Sequence, residues 1–360
     1  MNKILDRYIL KKFLSTFVFV VLILVSIVLI ITFSERNDSF IKNNVPSIEV
    51  AKYMLSYAPY VANLIAPLTV FIATVFVTSK LASHTEIVAI LSGGVSYPRF
   101  LRPFFIGATI IGLVTFLFIG WVIPEANKYR VEFEIKYFDK EFNYTGRNVH
   151  FKVSPTTYVY LRSYDSRRDV GYGFTLEEII DQEIKYKMSA REVRWDTTRS
   201  TWTAKDWNLR EFIGTQEKYE YHNIDDTVMT LNMDPDDFGN MKDHEQTLTL
   251  PELDNYIAEL QMKGADNIPL YRIEKLVRYM SPFTAIILTF IGVVLSSRKT
   301  RGGVGFQIAI GFVIAFIFII LFVAARSNAQ NTDGSQLLAI WTPNIIFTAL
   351  GLLLYRFLPK

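Results

Sequence analysis

Apolar residues along this chain gather into six charge-free runs, at about 13–33, 58–79, 103–123, 279–297, 302–325 and 337–355, separated by short polar loops and one long polar segment. Each run is long enough to cross a bilayer core of roughly 30 Å as a helix. The first run, FLSTFVFVVLILVSIVLIITF, is too long for a signal peptide and has no small-residue cleavage site, so it is expected to remain as an anchor.

Between the third and fourth runs the pattern changes. Residues 124–272 are polar and too long for a loop, and they carry short alternating stretches: VHFKV (149–153), TYVYLRS (157–163), EIKYKMSAREVRW (183–195), TWTAKDWNLREF (201–212) and EKYEYHNI (217–224). Turn-forming pieces such as TGRN and DTTRS separate them, which predicts an antiparallel sandwich or jelly roll. Phe151, Tyr158, Tyr160, Trp195, Trp202, Trp207 and Phe212 are its candidate core aromatics. LTLPELDNYIAELQMKGADN (248–267) then predicts a capped helix with Pro251 at its start and Gly264 at its end. The expected layout is an α-helical membrane protein with three spans in 1–123, an inserted β-jelly-roll-like domain in 124–272, and three spans in 273–360.

One stretch fits neither a span nor an ordinary loop. In LASHTEIVAILSGGVSYPRFLRP (81–103), Leu81, Ile87, Val88, Ile90, Leu91 and Val95 interleave with Ser83, His84, Thr85 and Glu86. This predicts an amphipathic helix over about 82–94 that stops at Gly93 or Gly94. Such a helix can lie on a membrane surface and present its polar face to a soluble partner, or it can be a plain connector.

Charge orients the layout. Lys3, Arg7, Lys11, Lys12, Lys80, Arg99, Arg102, Arg298, Lys299, Arg301, Arg356 and Lys360 fall on one side of the runs, and Arg36, Lys42, Lys52 and Arg326 in the short loops of the other. An excess of basic residues marks the cytoplasmic side, so both termini are expected there and the β domain outside. The basic lead-in YRIEKLVRYM (271–280) departs from the rule, but it adjoins the large translocated domain, where the rule is weak. With no Cys, neither disulfides nor thiolate metal sites are available, and the four His lack ligand spacing. A net charge of +3 is too small to argue for nucleic acid.

The passage 81–103 resembles the signature of the LptF/LptG family of lipopolysaccharide export permeases: leucine, Ala, Ser, any residue, Ser or Thr, then Glu, followed by a Gly-hydrophobic-Ser turn and basic residues with Pro. His84 stands where the family often has a basic or polar residue. LDRYILKKFL near the N-terminus, GWVIPEANK (120–128) and the Trp-rich VRWDTTRSTWTAKDWNL (193–209) are similar to family segments too. The resemblance implies a non-catalytic permease subunit without cofactor or metal in a bacterial inner membrane. It would pair with a paralogous permease and be driven by a separate cytoplasmic ABC ATPase. Lipopolysaccharide would pass to a periplasmic bridge protein of jelly-roll fold.

Carried onto this chain, the family's ATPase-docking glutamate is Glu86, with Ser83, Thr85, Ile87 and Ala89 around it and Gly93 and Gly94 closing the helix. The gates are the first and fifth spans, here with Phe17, Ile30 and Phe33 on one and Phe306, Phe312 and Phe316 on the other. The family's basic cluster after the first span is matched only by Arg36 and Lys42, as candidate lipid-phosphate contacts.

Other readings are weaker. No G-x-x-x-x-G-K-[ST] loop is present, and RKTRGGVG (298–305) has its Lys before the glycines, so ATP must be handled by a partner. DPDDFGNMKDHE (234–245) only loosely imitates a calcium loop. An ion-coupled secondary transporter would need titratable groups in its spans, and the six runs have none; Gln307 and Asn344 read as interhelical hydrogen bonds. A membrane-anchored receptor or scaffold would need fewer spans. Lipids and proteins that co-purify with the chain separate these readings.

Overall fold

The computed structural model describes residues 3–138, 145–165, 168–181, 183–214, 216–222, 226–231, 233–235, 244–263, 268–298, 303–331 and 335–357. The helices are α1 (Lys3–Lys42), α2 (Ser47–Leu64), α3 (Ala66–Ser83), α4 (Glu86–Ser92), α5 (Tyr97–Leu117), α6 (Ile123–Tyr137), α7 (Leu250–Lys263), α8 (Ile268–Ser296), α9 (Gly303–Asn331) and α10 (Gln336–Arg356). Six segments are long and apolar enough to cross a membrane: Ile4–Lys42, Ala66–Ser83, Tyr97–Tyr137, Ile268–Ser296, Gly303–Gln330 and Gln336–Arg356. An antiparallel sheet is inserted in the sequence between the third and the fourth. The chain divides into a helical unit, Met1–Arg130 with Arg272–Lys360, and a second unit, Val131–Tyr271.

The spans differ from the apolar runs in three places. α1 has 40 residues, about 60 Å at a rise of 1.5 Å per residue, so it extends well past a hydrocarbon core at both ends. The second run is not one helix: α2 ends at Leu64 and α3 begins at Ala66, because Pro67 has no N–H to continue the ladder. The third run continues through a π-helical turn at Phe118–Val122 into α6. Pro124 lies just beyond that turn and cannot donate to the carbonyl of Gly120, and a widened turn is a known accommodation of such a break.

The helical unit has a core where α1, α3, α4 and α5 meet, built from Ile9, Phe13, Val70, Val77, Leu81, Ile87, Phe100 and Phe104. A Cβ on Gly107 would stand 2.6 Å from the Phe13 ring, so glycine there lets α1 and α5 approach closely. A second cluster, with Phe71, Val75, Leu288, Ile291, Phe318 and Phe347, joins α3, α8, α9 and α10. Along α1, by contrast, only Ile9, Phe13, Thr32 and Phe40 are buried among its described side chains.

The second unit holds β1 (Thr145–Lys152), β2 (Thr157–Asp165), β3 (Val170–Ile180), β4 (Glu183–Asp196), β5 (Thr201–Ile213), β6 (Gln216–His222) and β7 (Thr227–Met229). Neighbours follow chain order from β1 to β6, all antiparallel, and β7 pairs with β5. The alternating stretches predict an inserted antiparallel β domain, and the described strands form it as one open sheet with neighbours in chain order. At the β4–β5 hairpin, the hydroxyl and backbone N–H of Thr198 both donate to Asp196 and hold its carboxyl below the usual carboxylate range.

The alternation slips by one residue along a line crossing four strands. Inward positions run Val159 and Leu161 then Tyr164 in β2, Leu176 and Phe174 then Gly171 in β3, Met188 and Ala190 then Val193 in β4, and Leu209 and Trp207 then Ala204 and Trp202 in β5. The ladders skip Arg162 opposite Gly173 and Arg191 opposite Asp206, and Gly173 and Asp206 have φ of 63° and 52°. The pairing register is the same on both sides of the line, so each strand spends one extra residue there in step with its neighbour, and the same face stays apolar on both sides.

Of the candidate aromatics, Trp202 is fully buried and Trp195 packs on it at 5.2 Å, whereas Trp207 stacks on His222 at 4.2 Å. Tyr158 is exposed and Tyr160 lies against His150. The side chain of Phe151 lies outside the described residues. The Trp202 indole N–H donates to the carbonyl of Met233 at 2.7 Å inside the core. Trp202→Phe, which orphans that carbonyl, is expected to cost about 1–3 kcal/mol. Faster proteolysis of the sheet strands in the intact protein reads this, and an unchanged rate would contradict it.

Thr249 and Glu252 form the capping pair at the start of α7, with the Thr249 N–H and hydroxyl both donating to Glu252 Oε2 at 2.7 and 2.8 Å. Gly264, expected to end this helix, and most of the calcium-like stretch, 236–243, lie outside the described residues.

Candidate functional site

The amphipathic stretch after the second span is not a single helix over 82–94. α3 runs on to Ser83, and α4 starts only at Glu86. Between them Thr85 takes a left-handed conformation, with φ of 58°. A β-branched residue there costs about 1–2 kcal/mol, a strain that the surrounding structure must hold. It ends the membrane helix and redirects the chain within two residues.

The exit from α4 is built by Gly94, not Gly93. Gly94 has φ of 83°, its N–H reaches the carbonyl of Leu91, and the N–H of Val95 reaches that of Ile90. This double closure is a Schellman motif, and it needs a residue free of the left-handed penalty.

Within α4 the residues separate by role. Ile87 is 2% exposed and sits in the core with Leu81, Ile9 and Phe100, and Ile90 and Leu91 pack beside it. Ile87 is therefore an anchor of the helix and is withdrawn from the surface. Val88, 62% exposed, and Ala89 point outward instead, with Glu86 at the edge. Val88 was legible as one of the apolar positions, but the strict amphipathic pattern assigned it inward.

The Glu86 carboxylate is already engaged within the chain. The Tyr8 hydroxyl donates to its Oε2 at 3.2 Å, and Lys12 Nζ and His84 Nδ1 lie 3.8 and 3.6 Å from Oε1. Lys12 also donates to the Tyr8 oxygen at 2.9 Å. The carboxylate is still 31% exposed, so it has room for another donor. Nearby, Arg99 at the start of α5 pairs with Asp6 of α1. Sequence reasoning missed Tyr8, Lys12, Asp6 and Arg99 as partners of this loop. Their i, i+4 and i, i+7 spacings place Tyr8 with Lys12 and Asp6 with Phe13, but only the tertiary packing brings α1 to the loop.

The expected gate residues lie as follows. Ile30 and Phe33 on α1, and Phe306, Phe312 and Phe316 on α9, are all exposed, whereas Phe17 is half-buried against the cluster around Phe13. Phe318 points into the helical core, so the phenylalanines of α9 divide between two faces. At the far end of α1, Phe33, Asn37, Phe40 and Ile41 line a cavity of about 690 Å³ with Asn44, Val50 and Met54. Arg36 lies over the rings of Tyr53 and Tyr57 at 5.5 and 6.0 Å, while Lys42 is exposed.

Ionisable groups are present in the spanning helices once their full lengths are known. Glu274 and Arg278, in the first turns of α8, pair at 3.1 Å, and the other Glu274 oxygen accepts from Arg326 of α9 at 2.9 Å. Arg278 is 1% exposed. The apolar runs excluded these residues because the runs were bounded by their charges. Glu274 bridges two guanidiniums, an arrangement that fixes α8 to α9. Asn344 accepts from Thr284 of α8, an interhelical bond as expected, and Gln307 donates to the Arg298 carbonyl. Among the described residues no cluster of His, Asp and Glu could hold a metal ion.

Six segments long and apolar enough to span a membrane, an inserted open sheet and a short helix after the second of them are the layout of a multi-pass membrane protein. Residues 7–356 match the family described as lipopolysaccharide export system permease LptF/LptG, and the chain belongs to that family. No curated protein matches it. Membership makes the chain a component of lipopolysaccharide transport in the inner membrane.

Proposed function

We propose that this chain is one half of a paired permease that lifts lipopolysaccharide out of the inner membrane, with ATP hydrolysed by a separate protein docked on α4. The chain itself is non-catalytic. Both termini and α4 face the cytoplasm, and the β domain stands in the periplasm, where its open sheet hands the lipid to a bridge protein of similar fold. The match over residues 7–356 carries this reading. It is supported by α4, whose apolar side is sunk in the chain while Glu86, Val88 and Ala89 stay accessible.

Lipid enters between α1 of one permease and α9 of its paralogue. The middle of α1 and one face of α9 are exposed and apolar, with Ile30 68% and Phe316 62% exposed. A cavity for several acyl chains must be apolar and able to collapse, since each buried CH₂ contributes roughly 0.8 kcal/mol that release has to undo. Arg36 and Lys42, beyond the apolar stretch, are the candidates for the lipid phosphates.

The reading is tested in vesicles holding the permease pair and its ATPase. ATP-dependent lipopolysaccharide release is expected, and a cysteine at Ile30, oxidised to one in the outer half of the paralogue's fifth span, should block release until reduced. Release that continues with the pair fully crosslinked would remove the gate, and a chain that purifies without any ATPase would remove the reading.

A further inference from the structure

We infer that Tyr8 and Lys12 are positioning residues which, together with Asp6 and Arg99, make the start of α1 and the α4 loop one mechanical piece, so that force applied to α4 is delivered to α1. This rests on the reading of α4 as the docking helix.

The contacts fasten the loop from both ends. On one side Tyr8 donates to Glu86 and receives a hydrogen bond from Lys12, whose ammonium lies 3.8 Å from the same carboxylate. On the other side Asp6 holds Arg99, the third residue of α5. Between the two polar contacts, Ile9 and Phe13 are buried against Ile87, Phe100 and Phe104. About two turns of α1 thus touch the beginning of α4, its buried face and the beginning of α5. Charge-assisted hydrogen bonds at partial exposure are directional and hold geometry.

The middle of α1 is placed to respond. Beyond Phe13, Leu14 and Phe17 still pack on the same cluster, and Thr32 and Phe40 are the next buried side chains among those described, so the turns between are held more lightly than either end. A helix held firmly at its first turns and lightly along its middle passes a tilt of those turns on to the middle. Tyr8 also shares the Glu86 carboxylate with any cation a partner brings. Docking strength and transmission to α1 are therefore separable: Glu86 binds, while Tyr8 and Lys12 connect.

The test uses the full permease complex with its ATPase, comparing wild type with Tyr8→Phe/Lys12→Met. The double variant is expected to retain the ATPase on purification and to hydrolyse ATP within about twofold of wild type, with extraction of lipopolysaccharide lowered about fivefold or more. Amide exchange at residues 4–13 should change between nucleotide-free and ATP-plus-vanadate states in wild type, and stop following nucleotide in the variant. Loss of the ATPase from the variant, unaltered extraction, or exchange at α1 that still follows nucleotide would each overturn the inference. Failure of the docking reading looks different: Glu86→Lys retains the ATPase in full, or the wild type brings down none, in which case the inference falls with it.

Discussion

Glu274→Ala is expected to destabilise the helical unit by about 3–5 kcal/mol, the range found when one partner of a buried ion pair is removed. The Glu274 carboxylate serves Arg278 and Arg326 together, and Arg278 has almost no access to solvent. Without it, two guanidiniums lose the carboxylate they share, and Arg278 loses it where almost no solvent reaches. Glu274→Leu combined with Arg278→Met removes charge and countercharge together and should be milder than Glu274→Ala alone. Thermal unfolding of the purified protein in nanodiscs decides this. A neutral single variant, or a double variant that is worse, would show that the pair is not the fastener between α8 and α9.

The second large effect is at Glu86. Glu86→Ala should weaken ATPase docking by about 1–3 kcal/mol, between the values for exposed and for desolvated ion pairs. Glu86→Lys should do more, at least about 3 kcal/mol or over a hundredfold in affinity. A lysine there repels an incoming cation and also stands beside Lys12 and His84, so it disturbs the loop from within. Quantifying the ATPase retained by each variant measures the effect. Normal retention and normal ATP-driven release in Glu86→Lys would remove Glu86 from docking.

The spans were legible because a membrane helix must be apolar along its length, and the runs show that directly. Their ends were not, because Glu274, Arg278 and Arg326 satisfy one another inside the protein, where composition alone reads them as loop charges. Glu274 and Arg278 could have been paired from their spacing of four; Arg326 is 52 residues away and needed the packing of α9. Pro67 was a visible sign that the second run would break. Thr85 was not, since nothing local asks a β-branched residue to turn left-handed.

At the candidate site, Glu86 and the closing Gly94 are carried by the motif. What holds Glu86 is not: Tyr8 lies 78 residues earlier, and its hydroxyl has no sequence signature. Ile87 and Val88 show the limit of helical periodicity over two turns, where adjacent apolar residues compete for one buried place and packing chooses.

The line of extra residues at Arg162, Gly173, Arg191 and Asp206 constrains how this sheet can change. A one-residue deletion at the line in a single strand would throw half of that strand's side chains to the opposite face, while its neighbours kept theirs. The ladder between β1 and β2 also skips a position, Asn148 opposite Arg162, so these residues are locked to a common count: viable strand lengths differ by steps taken in every strand the line crosses or in none. The crease behaves as one heritable character spread over several places in the chain, and its two left-handed positions, at Gly173 and Asp206, are where a redesign of the sheet's bend has to begin.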